Sequence, residues 1–196
     1  MSNSPTNEEV IAATQLWLER AVIGLNLCPF AKEVHDKKQI RYVVSSATHP
    51  EELLEELMRE MEVLAETPSE KIDTTLLIHP YVLTDFLDYN DFLDVVDEAL
   101  EDMELDGILQ VASMHTQYQF ADTQPDDIEN YTSSAPYPTL QLLREASIVK
   151  AVAAHPEAEQ ILDNNIATLR RLGHEGWEAL GLANGAPQPD KNKGRL

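Results

Sequence analysis

The sequence has 196 residues, 43% hydrophobic and 25% charged, as expected for one globular domain. Acidic residues outnumber basic ones by 35 to 14, the formal net charge is −21, and no Lys or Arg lies between Lys71 and Arg144. Such a charge excludes binding to nucleic-acid phosphates and to anionic membrane surfaces. The excess of acid either serves solubility alone or attracts a metal ion or a cationic ligand.

The chain is expected to be cytoplasmic. Its N-terminus lacks the basic stretch and apolar run of a signal peptide, and no apolar segment reaches the roughly 20 residues of a membrane helix. The single cysteine, Cys28, excludes an internal disulfide, which is typical of a reducing compartment. We predict one domain over 1–196, with an ordered core at 6–182 and flexible ends at 1–5 and 186–196.

Helical and strand patterns alternate along the chain. Thr6 and Glu9 form a capping box, which begins a helix that ends at Pro29. The elements predicted after it are strand 41–45, a helix opening at Thr48, strand 74–78, helix 84–104, strand 107–113, loop 114–138, and helices 139–152 and 157–180. This order predicts an α/β fold, a single three-layer domain with a small, mostly parallel sheet flanked by helices. An α+β sandwich with one antiparallel strand is the alternative.

Two histidines directly follow predicted strands. His79 comes after the second strand and His115 after the third. Since ligands of open parallel sheets bind at the carboxyl ends of the strands, we expect both imidazoles at one mouth, within about 12 Å of each other. There they serve as metal ligands or general bases, or each caps its loop by hydrogen bonding to a main-chain carbonyl.

Cys28 completes a candidate site with these histidines. Its thiol is a small buried hydrophobe, a metal thiolate, or a nucleophile activated by histidine. As metal ligands, Cys28, His79 and His115 would hold a zinc-like divalent metal with a water in the fourth position, an arrangement suited to hydrolysis of a small molecule. We expect all three in one pocket roofed by residues 114–138, and the candidate carboxylates to bind the second nitrogen of each histidine are Asp122, Asp126 and Asp127.

The long loop supplies the candidates for substrate binding. They are Tyr118, Asp126, Asp127, Asn130, Tyr131 and, on the following helix, Arg144. Arg144 either pairs with a loop aspartate or holds an anionic group of the substrate, where it would also serve catalysis. The acidic run from Asp126 lacks the spacing of a calcium loop and is otherwise a solvated turn. No glycine-rich phosphate-binding motif occurs, so no nucleotide cofactor is expected.

Several segments carry a family resemblance, namely Val22–Ala31, Leu76–Pro80, Asp85–Leu93, Gln110–Ser113, Tyr118–Ala121, Asp126–Asp127, Asn130–Thr132 and Leu142–Ser147. In these motifs the chain resembles the bacterial family catalogued as domain of unknown function 1415, from about Glu9 to Leu180. The resemblance implies no activity. The chain departs from the expected Phe-His-Pro at Met114–Thr116 and from the expected Asn-Arg-Ser-Pro at Ser133–Pro136, which leaves Arg144 as the candidate for anion recognition.

Two functions remain open from the sequence. The first is an enzyme acting on a small molecule through the Cys/His site. The second is a binding or regulatory module whose long loop holds a metabolite or a protein without chemistry.

Overall fold

The computed structural model describes residues 4–182. The helices are α1 (Asn7–Trp17), α2 (Ala31–Asp36), α3 (Pro50–Glu66), α4 (Phe86–Asp102), α5 (Glu145–Ala154) and α6 (Ile161–Glu178). The strands are β1 (Ile40–Val44), β2 (Thr74–Ile78), β3 (Leu109–Met114) and β4 (Thr139–Arg144). Short 3-10 helices span Ile128–Ser133 and Ala158–Gln160. The ends predicted to be flexible, 1–5 and 186–196, lie outside the described residues except for positions 4 and 5. Within the described part, no helix is long and apolar enough to cross a membrane.

The first helix begins as predicted but ends differently. The Thr6 hydroxyl accepts a hydrogen bond from the Glu9 main-chain N–H at 3.2 Å, and the Glu9 carboxylate accepts one from the Thr6 N–H at 2.8 Å. The helix does not run on to Pro29, because α1 passes into a π-helical segment, Leu18–Ile23. A turn then follows in which Asn26 has a left-handed φ of 54°, a conformation that asparagine tolerates better than most residues.

The sheet is mixed, with the strand order β1-β2-β4-β3. β1 and β2 are parallel, whereas β4 runs antiparallel to both of its neighbours, β2 and β3. The α/β class is therefore confirmed, but the prediction of a mostly parallel sheet is wrong.

The cause of this error is residues 139–144, which were predicted as the start of a helix. Leu140 and Leu142 are fully buried and alternate with the partly exposed Gln141 and Leu143. An alternation with period two places buried side chains on one face of a strand, and only the residues from Glu145 onward form a helix.

Strand β2 directs apolar side chains to both faces of the sheet. On one face Leu77 packs with Leu140 and Leu142 in a cluster that includes residues of α3 and α4. On the other face Leu76 and Ile78 pack with Val10 of α1. β2 is buried at all five positions, as its uninterrupted apolar sequence predicts.

This alternation fixes the direction of the two candidate histidines. Ile78 and Met114, the last residues of β2 and β3, pack in the cluster on the α1 face. Successive side chains of an extended chain point to opposite faces. His79 and His115 therefore lie on the α4 side, at the same edge of the sheet, because β2 and β3 are both antiparallel to β4.

Candidate functional site

The two histidines meet at the carboxyl ends of β2 and β3, although β4 lies between these strands. Both side chains are fully buried. Their rings are 5.7 Å (His79) and 4.9 Å (His115) from the ring of Tyr89, measured between centroids, so the imidazoles cannot be farther apart than the sum of these distances. The structure thus brings the two histidines together.

His79 is held through one nitrogen only. Its Nδ1 donates to the carbonyl of Val82, at 2.9 Å. Its Nε2 is buried and has no hydrogen-bond partner among residues 4–182. Burial lowers the pKa of His79 to about 4, so at neutral pH the ring is uncharged and the lone pair resides on Nε2.

His115 uses both of its nitrogens inside the protein. Nε2 donates to the carbonyl of Leu83 at 3.0 Å, and Nδ1 accepts from the main-chain N–H of Gln117 at 3.0 Å. Burial lowers the pKa of this imidazole too. The two histidines therefore donate hydrogen bonds to successive carbonyls, those of Val82 and Leu83, in the loop that leads from β2 to α4.

The ring of Tyr89 in α4 packs against both imidazoles. Its hydroxyl donates to the Thr139 carbonyl at 2.7 Å and accepts from the Met114 N–H at 3.0 Å. The side chain is fully buried and ties α4 to the ends of β3 and β4. Tyr89 was not among the residues predicted for the site, although its place three residues after Phe86 and three before Phe92 was an available signal of a buried position.

Cys28 lies apart from the histidines, on the α1 side of the sheet. It packs against a cluster that includes Trp17, Ala21 and Ala135. Burial raises the pKa of the thiol, and the main-chain N–H groups that follow it oppose this only in part. Cys28 and the two histidine side chains therefore lie on opposite faces of the sheet, which does not favour the expected shared pocket. Among residues 4–182 no group of three His, Cys, Asp or Glu side chains is arranged to hold a metal ion.

Arg144 lies at the opposite edge of the sheet, since it is the last residue of β4 and pairs with Leu109 at the start of β3. Its guanidinium donates to the carbonyls of Thr67 and Ile72, the latter at 2.7 Å. Among residues 4–182 it forms no ion pair with a loop aspartate, one of the two alternatives that the sequence left open. The side chain instead ties the segment after α3 to the sheet, far from the histidines.

The loop between β3 and β4 is organised by Asn130, which is buried. Its side-chain oxygen accepts from the Phe120 N–H and the Thr123 hydroxyl, and its amide donates to the Gln124 carbonyl. Asp127 accepts from the N–H of Gln124 at 2.8 Å. These two predicted ligand-binding residues therefore hold the loop itself in shape.

The two tyrosines of the loop differ in position. Tyr131 packs on α6, with ring centroids 4.9 Å from Trp177 and 5.6 Å from His174. Tyr118 packs on Phe86, 5.3 Å between centroids, and Phe86 in turn is 5.5 Å from His115. Of the predicted substrate-binding residues, Tyr118 is thus the one linked to the histidines through a shared neighbour.

A family profile described as a protein of unknown function (DUF1415) matches residues 9–179. The chain belongs to this family. A comparison with curated proteins finds no match, and a comparison with solved structures finds none either.

The two places where this member departs from the expected family pattern are neighbours in space. The hydroxyl of Ser134 lies 3.4 Å from the carbonyl of Thr116. The main chain of His115 is bonded on both sides to the same segment, to the carbonyl of Ser133 and the N–H of Ala135. Both departures therefore fall beside His115.

Proposed function

We propose that this protein is an enzyme acting on a small molecule, with acid–base chemistry at His79. The observation that carries the proposal is the buried Nε2 of His79, which has no partner among the described residues. Proteins pair almost all of their buried polar atoms. An imidazole nitrogen left open is therefore suited to an atom that a substrate or a water molecule brings.

The protonation state of His79 supports the role of a base. A pKa of about 4 keeps Nε2 unprotonated at neutral pH, although a base this weak is inefficient. Entry of substrate requires the loop of residues 79–85 to open, since the imidazole is fully buried. Opening would relieve part of the burial that lowers the pKa and so make the base stronger. Leu83, at a left-handed φ of 54°, places a non-glycine residue under strain in this loop.

The reaction class we propose is hydrolysis. His79 accepts a proton from a water molecule through Nε2 as the water attacks a carbonyl or phosphoryl centre, and it returns the proton to the leaving group. His115 and Tyr89 position the loop and the ring, since their hydrogen-bonding groups are already engaged. The single free cysteine supports a cytoplasmic location.

The test uses His79→Asn. Asparagine places an amide N–H near the position of Nδ1 and can still donate to the Val82 carbonyl, but it has nothing at the position of Nε2. We expect wild-type protein to hydrolyse at least one member of a panel of chromogenic esters, amides and phosphoesters. The variant should lose about 100-fold or more in kcat and keep its fold by circular dichroism. Equal activity of the two proteins would contradict the proposal.

The zinc-like metal remains a prediction with its own test. Elemental analysis of protein purified without a histidine tag should find stoichiometric zinc in wild type and none in His79→Asn if Nε2 is a metal ligand. Zinc retained in the variant would place the metal elsewhere.

The alternative function is a non-catalytic metabolite- or protein-binding module. It is favoured by His115 and Tyr89, because their side chains form hydrogen bonds with main-chain groups, as residues with a structural role do. A ligand that binds wild type and His79→Asn with equal affinity, without turnover in either, would support the module.

A further inference from the structure

Three aromatic side chains form a partly exposed row beside the histidines. We call Phe86, Tyr118 and Phe120 the aromatic ledge. The ring centroids of Phe86 and Tyr118 are 5.3 Å apart, and those of Tyr118 and Phe120 are 5.0 Å apart. All three side chains keep part of their surface in solvent. Phe86 lies 5.5 Å from His115, so the ledge borders the site of the proposed function.

The charge around the ledge is negative. Asp85 precedes Phe86 and is exposed, and the loop that carries the two other rings contains the exposed Asp122 and Asp126. The Asp85 carboxylate also acts on His115, where it partly offsets the effect of burial on the pKa of that imidazole. No Lys or Arg occurs anywhere from 72 to 143, the stretch that supplies the ledge and both histidines.

Two nearby features that attract anions are already occupied. The N-terminal N–H groups of α4 point toward this edge, but Asp85 accepts hydrogen bonds from those of Leu87 and Asp88, at 2.9 and 3.3 Å. The Arg170 guanidinium of α6 pairs with Glu129. In these two elements an anionic ligand would therefore meet carboxylates, and the donors that could bind it are already occupied.

We propose that the aromatic ledge binds the positively charged end of an organic cation, an amine or a quaternary ammonium compound, and that this cation is the substrate class of the site. Only the claim that this cation is a substrate rests on the proposed function. Aromatic faces attract cations through their quadrupole, and the attraction grows as the cation sheds its water. A bare metal ion fits less well, because no group of three ligating side chains is found in residues 4–182.

The probe for this proposal is choline, compared with 3,3-dimethylbutan-1-ol, which has the same shape and no charge. Binding is followed by NMR through the ring resonances of Tyr118 and Phe120. We expect choline to bind about three- to thirty-fold more tightly than the neutral alcohol. Equal affinities, a preference for the alcohol, or no shift of these resonances with choline at about 100 mM would overturn the proposal.

Matched variants separate the contributions of the ring and of the charge to choline binding from effects on folding. Tyr118→Leu should weaken choline binding at least about three-fold, whereas the same change at Tyr81, an exposed tyrosine off the ledge, should not. Asp85→Asn keeps a capping oxygen for α4 and removes the charge, so it should weaken choline but not the neutral alcohol. Asp97→Asn makes the same change at an exposed position farther along α4 and should leave both affinities unchanged. Loss of choline binding in the two controls as large as in the ledge variants would count against the ledge.

The test is independent of catalysis. His79→Asn should bind choline as wild type does, since the ledge does not include His79. Choline binding without any turnover of amine esters or amides in wild type would leave the ledge standing and defeat the proposed function. Turnover confined to neutral or anionic substrates would do the reverse.

Discussion

Replacing Tyr89 with phenylalanine isolates the hydroxyl that joins α4 to the sheet. Phenylalanine keeps the ring that packs against the two imidazoles. The substitution removes a hydrogen bond of 2.7 Å to the Thr139 carbonyl and one of 3.0 Å from the Met114 N–H. Met114 and Thr139 are also paired with each other across β3 and β4, so the substitution removes the hydrogen bonds that the hydroxyl adds and leaves the strand pairing in place.

The expected loss follows from how deeply these groups are buried. Thr139 is 1% exposed, so its carbonyl cannot recruit water without opening the structure, whereas Met114 is partly exposed. Each hydrogen bond of the hydroxyl contributes about 0.5–1.5 kcal/mol, and the one from the less buried N–H lies at the low end of this range. We therefore expect the free energy of unfolding to fall by about 1–3 kcal/mol, which lowers Tm by about 2–12 °C for a domain of this size.

The assay is urea denaturation of wild type and Tyr89→Phe, followed by circular dichroism. The m-value should not change, because the surface exposed on unfolding is the same. Tyr81→Phe is the matched control, since its hydroxyl donates to the Pro5 carbonyl at an exposed position and should contribute less than about 1 kcal/mol. A loss below about 1 kcal/mol in Tyr89→Phe, or one equal to the control, would refute the reasoning.

Three further predictions concern other parts of the structure. His79 has a folded pKa of about 4 against an ordinary value of 6.5, so the unfolded chain binds its proton first and stability falls as the pH drops from 6.5 toward 4. The loss reaches about 3 kcal/mol, and urea titrations at several pH values should show a smaller loss in His79→Asn, where the buried His115 still contributes. Arg144→Ala leaves the carbonyls of Thr67 and Ile72 without this donor and should lower the free energy of unfolding in urea by about 2–3 kcal/mol, without changing choline binding. A change in choline binding with little loss of stability would instead indicate that Arg144 binds the ligand. Asn130→Ala removes three hydrogen bonds within the β3–β4 loop, so hydrogen exchange at residues 118–127 should quicken while the core strands keep their protection; unchanged exchange would mean that the loop is held by its other contacts.

Much of the fold follows from local sequence patterns. The capping box of Thr6 and Glu9 and the apolar run 74–78 predicted α1 and β2 because capping and two-sided burial leave signals within a few residues. The strand β4 has no such signal. Its sequence, Thr-Leu-Gln-Leu-Leu-Arg, consists largely of good helix formers, and it is extended because it fills the gap between β2 and β3. A partner distant in the chain decides its conformation, which propensity does not register.

The same insertion explains why the site was predicted in part. His79 and His115 were expected together on adjacent strands, but with β4 between them the strands are about 9.6 Å apart. The imidazoles share a site because Tyr89 bridges this width with its ring. Cys28 was placed by the connection from α1 to β1, and the sequence does not reveal on which face of the sheet that connection passes. Arg144 was misplaced for the same reason as β4, since at the end of a strand it faces the opposite edge.

His79 has one more buried nitrogen than is needed to hold its loop to the sheet. A loop held to the sheet through the Val82 carbonyl needs one donor at the position of His79 Nδ1, and asparagine would supply it. An imidazole buries a second nitrogen in addition, and leaving a polar atom without a partner costs about 1–3 kcal/mol. His115, whose ring contacts the same Tyr89 ring, shows that the same fold can satisfy both nitrogens of a histidine. The Nε2 of His79, which has no partner among residues 4–182, is therefore free to accept a hydrogen bond from a ligand or a bound water molecule.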